Sequence, residues 1–121
     1  MNRWALGCRE KALGKDHPDT LTTVSNFSLV LRYQGKYEEA EQMNRRALDG
    51  REKALGKHHP DTLASVSNLA YLCYEQNRLD EAGELYVNAL NGFRKVLGPS
   101  HPTTLACEGR YTSSSKKMAA M

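Results

Sequence analysis

Apolar residues recur along this chain with the spacing of one face of an α-helix. In the first clear stripe they occupy Leu21, Val24, Phe27 and Leu31, three or four positions apart. The stripes that follow are Tyr37, Ala40, Ala47, Leu48 and Leu55; then Leu63, Val66, Leu69, Ala70 and Cys73; then Leu79, Ala82, Tyr86, Ala89, Leu90, Phe93 and Leu97. Polar and charged residues fill the other faces, so the pattern predicts a series of amphipathic helices.

A nine-residue segment separates alternate stripes and occurs three times. It begins at Leu13, Leu55 and Leu97, so the spacing is 55 − 13 = 42 and 97 − 55 = 42 residues. A fixed internal period of this size indicates stacked structural repeats. Residues 1–13 match residues 43–55 at the same offset, which makes them the second helix of a unit whose first helix is missing.

Each copy of this segment combines a helix end with a helix start. Gly14, Gly56 and Gly98 suit the left-handed residue just past a helix. The prolines at 18, 60 and 102 suit the first position of the next helix, where no N–H is needed. Between the two helices of a unit, Asn77 takes the place of Gly35, and Asn is the residue that best tolerates left-handed backbone after Gly.

The period divides the chain into five predicted segments. These are residues 1–14, the second helix of an incomplete leading repeat; 15–56 and 57–98, two complete repeats; 99–111, a partial third repeat; and 112–121, a disordered tail. The apolar stripe is lost after Leu105, because Glu108 stands where Val66 stood, and the tail carries no stripe at all. About six helices are expected.

The pattern resembles the tetratricopeptide repeat of the kinesin-light-chain type. In the second unit the resemblance rests on Asn68, Leu69, Ala70, Tyr74, Leu79, Ala82, Tyr86 and Ala89. The usual tetratricopeptide period is about 34 residues, and a longer second helix with the Leu-Gly-Lys-x-His-Pro-Asp-Thr turn accounts for the longer period here. The resemblance implies an all-α, right-handed helical solenoid built from antiparallel helix pairs.

The resemblance also implies a binding surface, because in this family the first helix of each unit lines a concave groove for peptides or a partner's helix. By position, the groove residues here would be Thr22, Ser25, Asn26, Leu29, Arg32, Tyr33, Ser67, Asn68, Tyr71, Tyr74 and Glu75. The residues themselves agree with this role. They lie mostly off the apolar stripes, and Tyr side chains supply large contact areas with a polar tip.

Charge and cysteine content narrow the class of protein further. A net charge of +3, with no stripe of Lys or Arg, argues against nucleic-acid or membrane binding through bulk charge. The three cysteines form no C-x-x-C pair, which favours a reducing compartment, and we expect the cytoplasm. Cys73 lies in an apolar stripe and is predicted to be buried, whereas Cys8 and Cys107 lie near the ends and are expected to be exposed.

No catalytic or metal-binding constellation is evident. His17, His59 and His101 recur once per unit, so stacking places them in a row instead of around one ion. The Gly-Lys pairs at 14–15 and 56–57 lack the Ser or Thr and the glycine spacing of a phosphate-binding loop. We therefore expect no cofactor, no metal and no enzymatic activity.

These observations predict a protein–protein interaction scaffold that binds a peptide or a partner helix in its groove. The alternative is a fragment of a longer repeat array, such as a regulatory sensor of the NLR type or a kinesin-light-chain-like cargo adaptor, with no independent activity. Repeat arrays need polar caps, and the first predicted helix would expose Trp4 and Leu6. Self-association through exposed terminal helices is therefore a further hypothesis.

Overall fold

The computed structural model describes residues 18–120, and this part of the chain folds into five α-helices. They are α1 (Pro18–Tyr33), α2 (Tyr37–Leu55), α3 (Pro60–Glu75), α4 (Leu79–Val96) and α5 (Pro102–Ala120). The predicted all-α fold is confirmed. The helix predicted for residues 1–14, with Trp4 and Leu6, lies outside the described residues.

The helices belong to two compact units, divided between Lys57 and His58. In the first unit α1 packs against α2. In the second unit α4 packs against both α3 and α5, and α3 also touches α5. Each unit therefore contains a helix pair of the predicted kind, and the second unit adds one more helix.

Most residues of the predicted apolar stripes form the cores of these pairs, whereas Tyr37, Leu48, Leu55 and Leu97 are half-buried. All four residues of the first stripe, from Leu21 to Leu31, are at most 5% exposed. In the first unit, Val24 of α1 packs with Ala47 and Met43 of α2. Ala40 and Ala82, both residues of the predicted stripes, are completely buried. Several buried polar residues were not predicted, and Asn44, at 1% exposed, is the largest of them.

The turns have the backbone conformations that their sequences predict. Gly56 and Gly98 have φ angles of 90° and 93°, in the left-handed region. Between the helices of each pair, Gly35 has φ 78° and Asn77 has φ 62°, the one positive value for a non-glycine residue within residues 18–120. Asn77 therefore does take the place of a glycine, as its sequence position predicts.

Two of the repeated histidines, His59 and His101, act as helix caps. The Nδ1 atom of His59 accepts a hydrogen bond from the backbone N–H of Asp61 at 3.1 Å. The Nδ1 atom of His101 accepts one from the N–H of Thr103 at the same distance. Each histidine satisfies a backbone donor that has no partner inside the first turn of the helix. This role explains the recurrence of histidine, and among residues 18–120 no group of three or more potential metal ligands occurs.

The end of the chain differs from the expected disordered tail, because α5 continues as a helix through residues 112–120. Its buried side is formed by Thr104, Cys107 and Ser114, with Tyr111 half-buried between them. These positions are three or four residues apart, so they form a helical stripe of small and polar residues. A search for apolar residues misses such a stripe. Cys107, only 3% exposed, was wrongly expected at the surface.

Within residues 18–120, every helix falls short of the length and apolar character that a membrane span requires.

The crossing of α3 and α4 is close at Gly92. A Cβ atom built on Gly92 would lie 2.5 Å from Cδ2 and 3.2 Å from Cγ of Leu63, which is 2% exposed. Gly83, on the same helix, has no such neighbour within 4 Å. Both glycines have helical backbone, so they differ in packing and not in conformation.

We predict opposite effects for the two alanine substitutions. Gly83→Ala should stabilise the protein by about 0.5–1 kcal/mol, because Ala favours a helix over Gly. Gly92→Ala gains the same propensity but overpacks Leu63, at a cost of about 1–3 kcal/mol, and should destabilise the protein by about 1 kcal/mol overall. Urea unfolding followed by circular dichroism measures both. Equal stabilisation by the two substitutions would contradict the close crossing.

Candidate functional site

The second unit carries a concave surface between α3 and α5. Its larger cavity, about 520 Å³, is lined by Tyr71, Tyr74, Tyr86, Ala106, Gly109, Arg110 and Ser113. A neighbouring cavity of about 340 Å³ is lined in part by Ser67, Asn68, Ala106 and Arg110. The two cavities share Ala106 and Arg110, so together they form one groove along α3 and α5. We call this surface the α3–α5 groove.

Two tyrosines and two cations dominate the α3–α5 groove. The rings of Tyr71 and Tyr74 stack with centroids 5.9 Å apart. The guanidinium carbon of Arg110 lies 5.4 Å from the centre of the Tyr71 ring. The ammonium nitrogen of Lys117 lies 4.6 Å from the centre of the Tyr74 ring. Both distances are within the range of cation–π attraction.

These two cations differ from four other cations among residues 18–120. Arg45, Lys53, Arg78 and Arg94 form ion pairs with Glu41, Asp49, Glu81 and Glu108. Among residues 18–120, neither Arg110 nor Lys117 has a carboxylate within ion-pair distance. Their charge is therefore available to an anionic group of a ligand.

Tyr86 of α4 forms the buried part of the groove and is 1% exposed. Burial raises the pKa of its hydroxyl well above the ordinary value, and the charge of Arg110 opposes part of this rise. Burial likewise raises the pKa of the Cys107 thiol, against the hydrogen bond with Ser67 and the charge of Arg110. Both groups are therefore neutral at pH 7, and Cys107 is a weak nucleophile.

Most of the residues predicted for the groove in the second unit line these cavities. Tyr71 and Tyr74 line the larger one, and Ser67 and Asn68 the smaller. Glu75 is half-buried at the end of α3 and lines neither. Ser67 is 7% exposed, and its side chain forms a hydrogen bond with the Cys107 thiol. This side chain therefore serves mainly to pack α3 against α5.

In the first unit, the predicted residues lie on α1. Thr22, Asn26, Leu29 and Tyr33 are exposed at intervals of three or four residues, so they share one helix face. Tyr33 is 80% exposed, and the Arg32 guanidinium lies 4.9 Å from the centre of its ring. Ser25 is an exception, because it is buried and accepts a 3.5 Å hydrogen bond from Arg51 of α2.

The groove residues of α5 were not predicted from the sequence. Arg110, Ser113 and Lys117 follow Asn68, Tyr71 and Glu75 at the repeat offset, since 110 − 68, 113 − 71 and 117 − 75 all equal 42. The period itself could have identified them. They were overlooked because the apolar stripe on which the analysis relied stops at Leu105.

The fold and the groove define a helical-repeat protein, and the comparisons identify its family. The model of the tetratricopeptide repeat family matches residues 5–53 and 25–86. Because these matches together cover more than half of the chain, the protein belongs to the tetratricopeptide repeat family. Among curated proteins, none matches the sequence with significance.

Solved structures of kinesin-light-chain-type repeats share the fold. One holds the nearly identical TPR-like repeats of a Podosopora anserina protein described as a kinesin light chain, with a TM-score of 0.84 and 24% identity. The match covers 92% of this chain and 53% of that one. BtubC (BKLC) from P. vanneervenii matches with a TM-score of 0.69 and 16% identity, over 98% of this chain and 55% of its own. This chain thus spans about half the length of these structures.

The burial of Tyr86 predicts a pH dependence of stability. Its folded-state pKa lies above the unfolded-state value of about 10, so the unfolded state releases its proton first as the pH rises. The stabilisation is complete below pH 10 and is lost above it, at about 1.4 kcal/mol per pH unit for this one proton.

Urea unfolding between pH 8 and 11 tests this prediction, with Tyr86→Phe as the matched control. The variant keeps the buried ring and removes the ionisable hydroxyl, so its stability should fall less steeply above pH 10. Parallel curves for the two proteins would show that the Tyr86 hydroxyl does not control alkaline stability.

Proposed function

We propose that this protein is a protein–protein interaction scaffold that binds a peptide or a partner helix along the α3–α5 groove. The observation that supports this most strongly is a pair of stacked tyrosines beside a cavity of about 520 Å³. Two cations lie over their rings, and neither has a carboxylate partner among residues 18–120. Tyrosine and arginine are the side chains that most often dominate binding energy at interfaces.

The groove also offers the contacts that an extended backbone needs. Asn68 is half-buried beside the smaller cavity, and its amide can both donate and accept hydrogen bonds. The rings of Tyr71 and Tyr74 can cover apolar side chains of a ligand while Arg110 holds a polar or anionic group. This combination of groove residues suits a peptide segment of several residues better than a single small molecule.

Catalysis is not part of this proposal. Tetratricopeptide repeats are a scaffold type of fold, and the groove offers no activated nucleophile, since Tyr86 and Cys107 are both held neutral. We propose that the protein works in the cytoplasm with a protein or peptide partner, and without nucleic acid, membrane or cofactor.

A second candidate is that this chain works as part of a longer repeat array, as a regulatory sensor of the NLR type or a kinesin-light-chain-like cargo adaptor. The matched kinesin-light-chain-type structures are about twice as long as this chain, which favours this candidate. Self-association through terminal helices is a further proposal. In each case the α3–α5 groove would keep its local geometry, because α3, α4 and α5 lie in one compact unit.

We expect the double substitution Asn68→Ala plus Tyr71→Ala to abolish peptide binding without unfolding the protein. Random peptides displayed on phage are first selected for binding to the wild-type chain. The affinities of the selected peptides are then measured by fluorescence anisotropy. Loss of a central tyrosine costs about 2 kcal/mol or more at an interface, so affinity should fall by at least about 30-fold.

The matched control is Asn88→Ala plus Asn91→Ala, two exposed residues of α4 outside the α3–α5 groove. It should leave the affinities unchanged, and circular dichroism should show equal helicity for all three proteins. Failure to select any peptide, or equal binding by the Asn68 and Tyr71 variant, would count against the proposed function.

A further inference from the structure

Ser113 lies on α5 between the two cations of the α3–α5 groove. It is exposed and lines the larger cavity together with Tyr71 and Arg110. Arg110 precedes it by three residues and Lys117 follows it by four, so all three side chains lie on one face of the helix. A group attached to the Ser113 hydroxyl would therefore meet both cations.

The sequence around Ser113 is also distinctive within this chain. Many protein kinases select a serine with arginine three residues before it, because a carboxylate of the kinase pairs with the guanidinium. Ser113 is the only Ser or Thr among the 121 residues with Arg or Lys at that position. The neighbouring Thr112, Ser114 and Ser115 lack this feature. The residues three positions before them are Gly109, Tyr111 and Thr112 respectively. Ser114 is in addition 1% exposed.

A kinase needs its substrate segment in an extended form, and α5 is suited to local opening. Gly109, Thr112 and the three serines that follow have low helix propensity. The outer face of this part of the helix is exposed at Glu108, Thr112 and Ser115. Helices held by few buried apolar contacts open at low free-energy cost compared with the core.

We propose that Ser113 is a phosphorylation site and that its phosphate switches the charge of the α3–α5 groove. In the reaction, the Ser113 hydroxyl oxygen attacks the γ-phosphorus of ATP held by a partner kinase. The new Oγ–P bond replaces the bond from the γ-phosphorus to the β,γ-bridging oxygen, ADP leaves, and the hydroxyl proton passes to a base of the kinase.

The phosphate changes the groove through its charge. It carries about −1.5 to −2 at pH 7, which offsets the two positive charges of Arg110 and Lys117. Both cations then pair with the phosphate and leave the rings of Tyr71 and Tyr74. A peptide that uses these cations should bind more weakly, and this consequence rests on the proposed function of the groove.

The site assignment is tested on the full chain with ATP and a purified calmodulin-dependent kinase domain that selects arginine three residues before the serine. Intact mass should show one added phosphate, and peptide mapping should place it on Ser113. Ser113→Ala should lose it, and the matched control Ser115→Ala should keep it. Arg110→Gln should slow the reaction about tenfold, as expected for one lost charged hydrogen bond. No phosphate, or a phosphate on another residue, would overturn the assignment.

The groove geometry is tested by ³¹P NMR titration of the phosphorylated protein. The second pKa of phosphoserine is ordinarily about 6, and Arg110 and Lys117 should lower it. Lys117→Gln should bring it back towards the ordinary value. Lys95→Gln removes an equal charge from α4, outside the groove, and should leave it lowered. An unshifted pKa in the wild-type chain would show that the cations do not hold the phosphate.

The affinities of the selected peptides for the phosphorylated chain test the proposed switch separately from the proposed binding function of the groove. Phosphorylated chain should bind peptides with Asp or Glu at least about tenfold more weakly, a difference of about 1.4 kcal/mol. Unchanged affinity would overturn the switch while the groove stands. If no peptide is selected at all, the proposed function fails, and the mass and NMR measurements still decide whether Ser113 is the site.

Discussion

The inter-repeat turn combines three residue types whose backbone conformations are tightly constrained. A left-handed glycine ends one helix, with φ 90° at Gly56 and 93° at Gly98. Three residues later a histidine caps the next helix through its Nδ1 atom, and a proline occupies the first helical position. Each of these residue types suits the backbone it adopts, and the segment keeps the same length in all three copies.

The fixed period places chemically different residues at equivalent points of the same structural unit. Position 68 is Asn and position 110 is Arg; position 75 is Glu and position 117 is Lys. In the second unit Asn68 of α3 and Arg110 of α5 line the same cavity of the α3–α5 groove, whereas Glu75 lines neither cavity. Repetition of the backbone thus brings acceptors, aromatic rings and cations to one surface. The chemistry of that surface depends on the differences between repeats, not on their common pattern.

The sequence predicted the helices and most of the core, because both depend on signals with strong physical causes. Apolar residues at helical spacing predicted the burial of Leu21 to Leu31, and backbone tolerance predicted the left-handed Asn77. The groove tyrosines of α3 were placed by their family position. The helix over residues 112–120 and the groove cations of α5 were not predicted from the sequence. In both cases the deciding contacts are made by small or polar residues, such as Ser114 and Arg110, whose burial or pairing depends on neighbours far away in sequence.

The two faces of α5 explain why the same helix can belong to the fold and to the binding surface. Towards α4 it keeps a buried stripe, at Thr104, Cys107 and Ser114. At the repeat positions where α3 has the core residues Val66, Ala70 and Cys73, α5 has the exposed residues Glu108, Thr112 and Ser115. Glu108 instead makes a 3.7 Å ion pair with Arg94 of α4, partly exposed to solvent and therefore weak. α5 is thus held by one face and buries fewer residues than α3 or α4. Arg110 and Lys117 of α5 lie over the rings of Tyr71 and Tyr74, so the helix of the second unit with the fewest buried residues carries the charge that a partner of the groove would meet.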